Sequence, residues 1–162
     1  MTTNYLSPVS FKIVIDRLPQ TEFTTQRVQL PQLSMTAPQV ASPIHNIFQT
    51  PDRMDYSDLD LSFIVDENMK NYEEILRWME GMGTPESTEQ RLNLEATKDG
   101  ARSDISIIIE NSARNANIKF TFTDCFPTSL SGVPLDVRAT DVDYPEATVT
   151  FRYDNMKFEK IG

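Results

Sequence analysis

Phe11-Lys-Ile-Val-Ile-Asp16 places Phe11, Ile13 and Ile15 on one side of an extended chain and Lys12 and Asp16 on the other. Alternation with a period of two marks a half-buried strand. Leu18-Pro19-Gln20 reads as a turn, and Glu22 to Leu30, with threonines and valine, reads as a second strand. The two predict a hairpin ended by Pro31. Ser34 to Val40 predicts a short third strand, which Pro38 confines to an edge or a bulge. The clearest alternation sets Leu59, Leu61, Phe63 and Val65 against Asp58, Asp60, Ser62 and Ile64.

The period then changes. Met69, Tyr72, Ile75, Leu76 and Met79 recur at helical spacing, with Glu73, Glu74, Arg77 and Glu80 mostly on the other faces. This predicts one principal amphipathic helix over about 67–81. Asp66 or Asn68 is placed to cap it by accepting from its free N–H groups. Glu67 sits near the positive end of the dipole. Gly81 and Gly83 are suited to a left-handed end. Trp78 flanks the stripe and reads as core packing.

Strand signals return in Ser103 to Glu110, where Ile105, Ile107 and Ile109 alternate and Ile108 faces the other side. Asn111 to Asn117 is a turn, and Ile118, Phe120 and Phe122 complete a second hairpin. Phe126-Pro127 opens a loop through Gly132 and Pro134. Leu135 to Asp143 and Ala147 to Tyr153 read as the last strong strands, and Met156 to Lys160 as their extension or a tail. The sum is a mainly β chain, a sandwich or barrel with one principal helix over an end or a face.

Two stretches depart from this pattern. Ala41 to Asp58 carries two prolines and three aspartates, yet also Ile44, Ile47, Phe48, Met54 and Tyr56. A solvated loop has no need of such side chains, so the segment is expected to pack on something, such as another subunit. Thr84 to Arg102 is a polar excursion containing Pro85 and Lys98-Asp-Gly100.

A length of 162 residues fits a single domain spanning 1–162 with a substantial core. Apolar residues at 39% and charged residues at 24% are ordinary for a globular protein. No run approaches the ~20 apolar residues that span a bilayer, and MTTNYLSPVS lacks the basic and apolar regions of a secretory signal. The net charge of −9 argues against a surface that clamps phosphates.

Catalytic chemistry has little to draw on. His45, the one histidine, lies in the long loop, with no base or orienting partner implied. Cys125, the one cysteine, excludes an internal disulfide and reads as a buried thiol. The pairs Asp58/Asp60 and Asp141/Asp143 lack the denser spacing and glycine of a calcium loop. The glycines form no phosphate-binding pattern, and Phe120 and Phe122 lack the basic neighbours of a base-stacking platform. The expectation is a non-enzymatic chain without metal or cofactor.

Several short blocks keep a recognisable order: Phe11-Lys-Ile-Val-Ile with Leu18-Pro19, QRVQLP over Gln26 to Pro31, and DLDLSFIVDENMKNYEEILRWM over 58–79. Ser103-Asp-Ile-Ser-Ile follows, then Phe126-Pro-Thr-Ser-Leu-Ser-Gly132 and the closing strand TVTFRYD. In this order the chain resembles the tail tube proteins of contractile-tailed bacteriophages and the related tube-initiator and baseplate hub proteins. The resemblance implies rings, usually hexameric, whose hairpins join one inner β-barrel. The rings stack into a tube through which viral DNA leaves without specific binding. Tail sheath and baseplate proteins are the implied partners, with no membrane. The implied location is the virion tail, with synthesis in the host cytoplasm. Ile44, Ile47, Phe48, Met54 and Tyr56 become candidates for ring stacking, and Asp58, Asp60 and Glu110 for acids facing the lumen. A tube initiator, baseplate hub or terminator shares this fold. A stand-alone β-sandwich binding module is the competing class, expected to be monomeric with a disordered 41–58 segment.

Overall fold

The computed structural model describes residues 4–84, 86–95, 100–138, 140 and 143–162. The elements follow in the order β1 (Phe11–Ile15), α1 (Pro19–Thr24), β2 (Thr25–Gln29), β3 (Leu33–Met35), β4 (Gln39–Val40), β5 (Ile47–Phe48), β6 (Met54–Tyr56) and β7 (Leu59–Ile64). Then come α2 (Lys70–Met82), α3 (Thr88–Glu95), β8 (Ser103–Glu110), β9 (Ala116–Leu130), β10 (Glu146–Arg152) and β11 (Asn155–Lys160). The fold is mainly β, as the alternation predicts.

Two antiparallel layers share one strand. The first runs β1-β8-β9-β11 and the second β2-β7-β10-β9. The first part of β9 pairs with β8 and β11, and its last residues, Phe126–Leu130, pair with β10. The strand changes course near Asp124, whose backbone is left-handed (φ 55) and whose N–H donates to Asp104 Oδ1 at 3.1 Å. Aspartate tolerates that conformation better than most side chains. The odd-numbered positions singled out by the pattern fill the space between the layers. Ile13, Ile15, Ile105 and Ile107 come from one layer, and Leu59, Leu61, Phe63, Val149 and Phe151 from the other.

Helix α2 packs on this core through Ile75 and Trp78. The Trp78 ring lies 5.9 Å from that of Phe151, its Nε1–H donates to the Ala101 carbonyl at 2.8 Å, and the Arg17 guanidinium sits 5.1 Å above it. Trp78 is therefore central to the stripe rather than flanking it. The buried line is Asn71, Ile75, Trp78 and Gly81, while Met69 and Leu76 are exposed. The expected stripe is turned because a polar residue, Asn71, belongs to the buried face. The helix starts at Lys70, after a left-handed Met69 (φ 54), and Asp66 rather than Asn68 accepts from its first N–H at 2.8 Å. Gly83 ends it in right-handed geometry (φ −94), its N–H donating to Met79 O, so no left-handed glycine is used.

Four strand expectations are corrected. Glu22 to Leu30 is not one strand, because Pro19 opens α1, where its fixed φ suits the first helical position. The first hairpin does not form: β1 pairs with β8, and β2 with β7. Phe126–Leu130 is strand rather than loop. Pro127 is tolerated there beside a register irregularity, where a missing N–H costs least. With that edge of β10 filled, the described residues of Leu135 to Asp143 form no strand, and Leu135, Val137 and Tyr144 are exposed. Part of that stretch (139, 141 and 142) lies outside the described residues, as do Pro85, Lys98 and Asp99 of the polar excursion. The excursion also contains α3. Met156 to Lys160 forms β11, paired with β9.

Candidate assembly surface

The stretch read as a loop is half of a hairpin arm. β2 and β7 pair with Gln29 opposite Asp60, and β3 and β6 pair with Leu33 opposite Tyr56 and Met35 opposite Met54. Three residues lie between the pairs on each strand, so one register carries from the sheet into the arm. Gln32 and Ser57 bridge the two ladders: Ser57 N–H donates to Gln32 O at 3.0 Å, and Gln32 N–H donates to Ser57 Oγ at 2.7 Å. The register slips near Pro38 and Pro51, and the ladder resumes with Val40 opposite Ile47. Proline cannot donate to a ladder, which explains why the slip falls there.

Opposed residues of an antiparallel pair share a face, as do alternate residues along a strand. Leu33, Met35, Met54 and Tyr56 therefore lie on one face of the arm, with Ser34 and Asp55 on the other. Leu33 is 46% exposed, Met35 54% and Met54 43%. Farther out, Ile47 and Phe48 are exposed, and Ile44 at the tip is 91% exposed. Among the predicted stacking residues, Met54 and Tyr56 belong to the inner ladder, and Ile44, Ile47 and Phe48 to the outer arm. Leu33, Met35 and Val40 were missed as partners. Their signal is the Leu33/Met35 alternation, mirrored by Met54/Tyr56.

The root of the arm is anchored. Tyr153 O–H donates to Ser57 O at 2.8 Å, its ring meets Tyr56 at 6.1 Å and Phe122 at 4.9 Å, and Arg152 contacts Asp58 at 2.6 Å. Burial, reinforced by Tyr56 and Asp58, pushes the Tyr153 hydroxyl up to about 12. Asp58 is thus ion-paired, and Asp60 accepts from the Thr150 hydroxyl at 2.7 Å. Ser62 and Thr148 continue this row at 3.1 Å. These side chains occupy the face of β7 away from Leu59 and Leu61, which fill the core. Glu110 stands apart from them, at the end of β8 in the other layer, its N–H donating to Ser10 O.

No catalytic constellation forms around the arm. His45 is exposed at the tip. Among the described residues, no three His, Cys, Asp or Glu side chains gather to hold a metal. A cleft of about 330 Å³ beside the arm root contains Arg53, Asp55, Asp58, Arg152 and Asp154, but its charges are paired at 3.4, 2.6 and 2.8 Å (the last with Arg102). Cys125 is buried and its thiol donates to Phe122 O at 3.3 Å. Burial pushes it up to about 12. Because the thiolate is the reactive form, native Cys125 should react with Ellman's reagent at pH 8 about a thousandfold more slowly than the unfolded chain. The same shift has a sign in stability. The unfolded thiol ionises near its ordinary 9.0 while the folded one keeps its proton, so the stabilisation is complete below pH 9 and is lost as the pH rises toward 12. Alkaline titration followed by tryptophan fluorescence should show this weakening. Native reaction as fast as the unfolded rate would contradict the burial.

No curated protein matches the chain by sequence. Among solved structures, the fold is shared with the tube-terminating cap of the anti-feeding prophage, at 14% identity and TM-score 0.71, covering 99% of this chain and 94% of that one. A chain of the PVC sheath–tube complex, from an extracellular contractile injection system in its extended state, is similar at 16% identity and TM-score 0.63, covering 97% and 93%. A type VI secretion system effector from Yersinia pestis is similar at 12% identity and TM-score 0.51, covering 94% and 90%. The sequence profile of the phage tail tube protein family matches residues 8–159. The apolar arm on a two-layer sandwich is therefore carried by a chain that belongs to the phage tail tube protein family, whose members are structural tube components and not enzymes.

Proposed function

We propose that the chain, as one tube-type domain over 1–162, assembles into hexameric rings that stack into a tail tube through whose lumen DNA is ejected. The observation that carries this reading is the arm, a hairpin continuous with the sheet whose apolar face is left about half exposed among the described residues. Strand edges support it as well. Among the described residues, the outer edges of β1, β2 and β11 pair with no strand. Exposed edges invite pairing with further chains, and closure into a ring removes them. Ile44, Ile47, Phe48, Met54 and Tyr56 then meet the neighbouring copy. Asp58 and Asp60 occupy a polar sheet face suited to a lumen wall, with Glu110 as a third candidate. The charge of −9 suits a bore that DNA slides through without sticking. Sheath and baseplate proteins are the further partners, in a virion tail made in the host cytoplasm.

A second reading, tube initiator, baseplate hub or terminator, draws on the similarity to the anti-feeding prophage cap and to a chain of its baseplate, the latter at TM-score 0.66. Negative-stain microscopy of the purified chain, beside its sedimentation profile, separates them. Hollow tubes are expected for a major tube subunit, and rings that do not stack for an initiator or terminator. A chain that stays monomeric at high concentration and with baseplate components added overturns both.

A further inference from the structure

A second apolar surface lies at the far end of the first layer. β8, β9 and β11 continue past the region where β9 pairs with the second layer, over Phe126–Leu130. Burial fades along the way: Ile105 is fully buried, Ile118 and Phe120 are half-buried, and Phe158 is 51% exposed. Phe120 and Phe158 meet edge-to-face at 5.3 Å on the core side of the sheet, with Ile161, 47% exposed, just beyond. This end is also locally basic. Of its lysines, Lys160 alone lies on the face of Phe120 and Phe158, while Lys12, Lys119 and Lys157 project from the reverse face together with Glu159. Lys157 and Glu159 pair at 2.6 Å. Lys160 shares the register side of Phe158. On the arm, the exposed Asp52 lies two residues before Met54, while Asp55 is on the reverse face and engages Arg53 at 3.4 Å.

We infer that the arm of one copy docks on this open end of another, Leu33, Met35 and Met54 covering Phe120 and Phe158, with Asp52 near Lys160. The inference rests on the assembly reading and adds the acceptor surface to it. Two different patches, one flanked by Asp52 and the other by Lys160, make a heterologous contact, the kind that propagates from copy to copy instead of stopping at a symmetric pair. Each patch alone is an exposed apolar surface of the sort that marks an interaction site.

Differently tagged Met35→Cys and Phe158→Cys chains, co-assembled and treated with a short bismaleimide, should give a heterodimer. Met35→Cys with Leu92→Cys, an exposed position on α3, should give far less. The buried Cys125 leaves a low background. Lys160→Glu should raise the protein concentration needed for assembly about tenfold, and Asp52→Lys in the same chain should restore it. Assembled particles with no heterodimer, or with equal yields in the two mixtures, overturn the contact while leaving the assembly reading intact. Chains that never assemble overturn both.

Discussion

Replacing Leu33, Met35 and Met54 together with serine should abolish self-association and leave the fold intact. All three lie on one face of the arm, and none is a buried core residue. Each gains on the order of 1 kcal/mol when a neighbour removes its remaining apolar surface from water. Three such losses, about 3 kcal/mol, raise the concentration needed for assembly roughly a hundredfold. The folded monomer loses little, because exposed substitutions usually change stability by less than about 0.5 kcal/mol each. Analytical ultracentrifugation and thermal unfolding of the same sample check the two halves together. Assembly at the wild-type concentration would show that the arm is not the contact. A collapse of the unfolding midpoint would show that the arm is part of the core.

Asn71→Ala should be the costliest polar substitution in the chain. Asn71 is fully buried where α1, α2 and the end of β7 meet. Its Nδ2 donates to Thr24 Oγ1 at 2.9 Å and to Ile64 O at 2.7 Å, and its Oδ1 accepts from Tyr72 N–H at 2.8 Å. One side chain thus holds three segments and satisfies a donor of the first helical turn. Truncation leaves the Ile64 carbonyl and the Tyr72 amide without these partners. Each unmet buried group costs about 1–3 kcal/mol, so a loss of about 2–4 kcal/mol is expected. That is a large share of the ~5–15 kcal/mol that holds a typical domain. Urea unfolding should show a lower midpoint with an unchanged slope. A shift below about 0.5 kcal/mol would mean that water replaces the amide.

These two sites show where the sequence was legible. Leu59 to Ile64 and Ser103 to Glu110 form strands because one set of alternate positions is apolar almost throughout, and that pattern has one physical outlet, a sheet with one dry face. Asn71 was invisible because its role depends on Thr24 and the Ile64 carbonyl, both brought to it by the fold. The arm was half visible. Ile44, Ile47, Phe48, Met54 and Tyr56 stood out as apolar residues in a polar setting, but Met35 and Leu33, the partners of Met54 and Tyr56, lie on the other side of Pro38. Pairing across a distance leaves no local period to read. The same limit explains the first hairpin: neighbours in sequence looked like neighbours in space, whereas Phe11 faces Ile109 and Val28 faces Leu61.

The shared strand β9 has a mechanical consequence. Its first part is stitched to β8 and β11, and its last part to β10. The sandwich has no seam along which its halves can slide apart, because separating them means stripping both ends of one continuous backbone. A load on either layer is passed covalently through Asp124 to the other, like a rivet through two plates. Local opening would therefore concentrate in the arm and outside this riveted pair, leaving the part that meets neighbours compliant and the part that carries strain stiff.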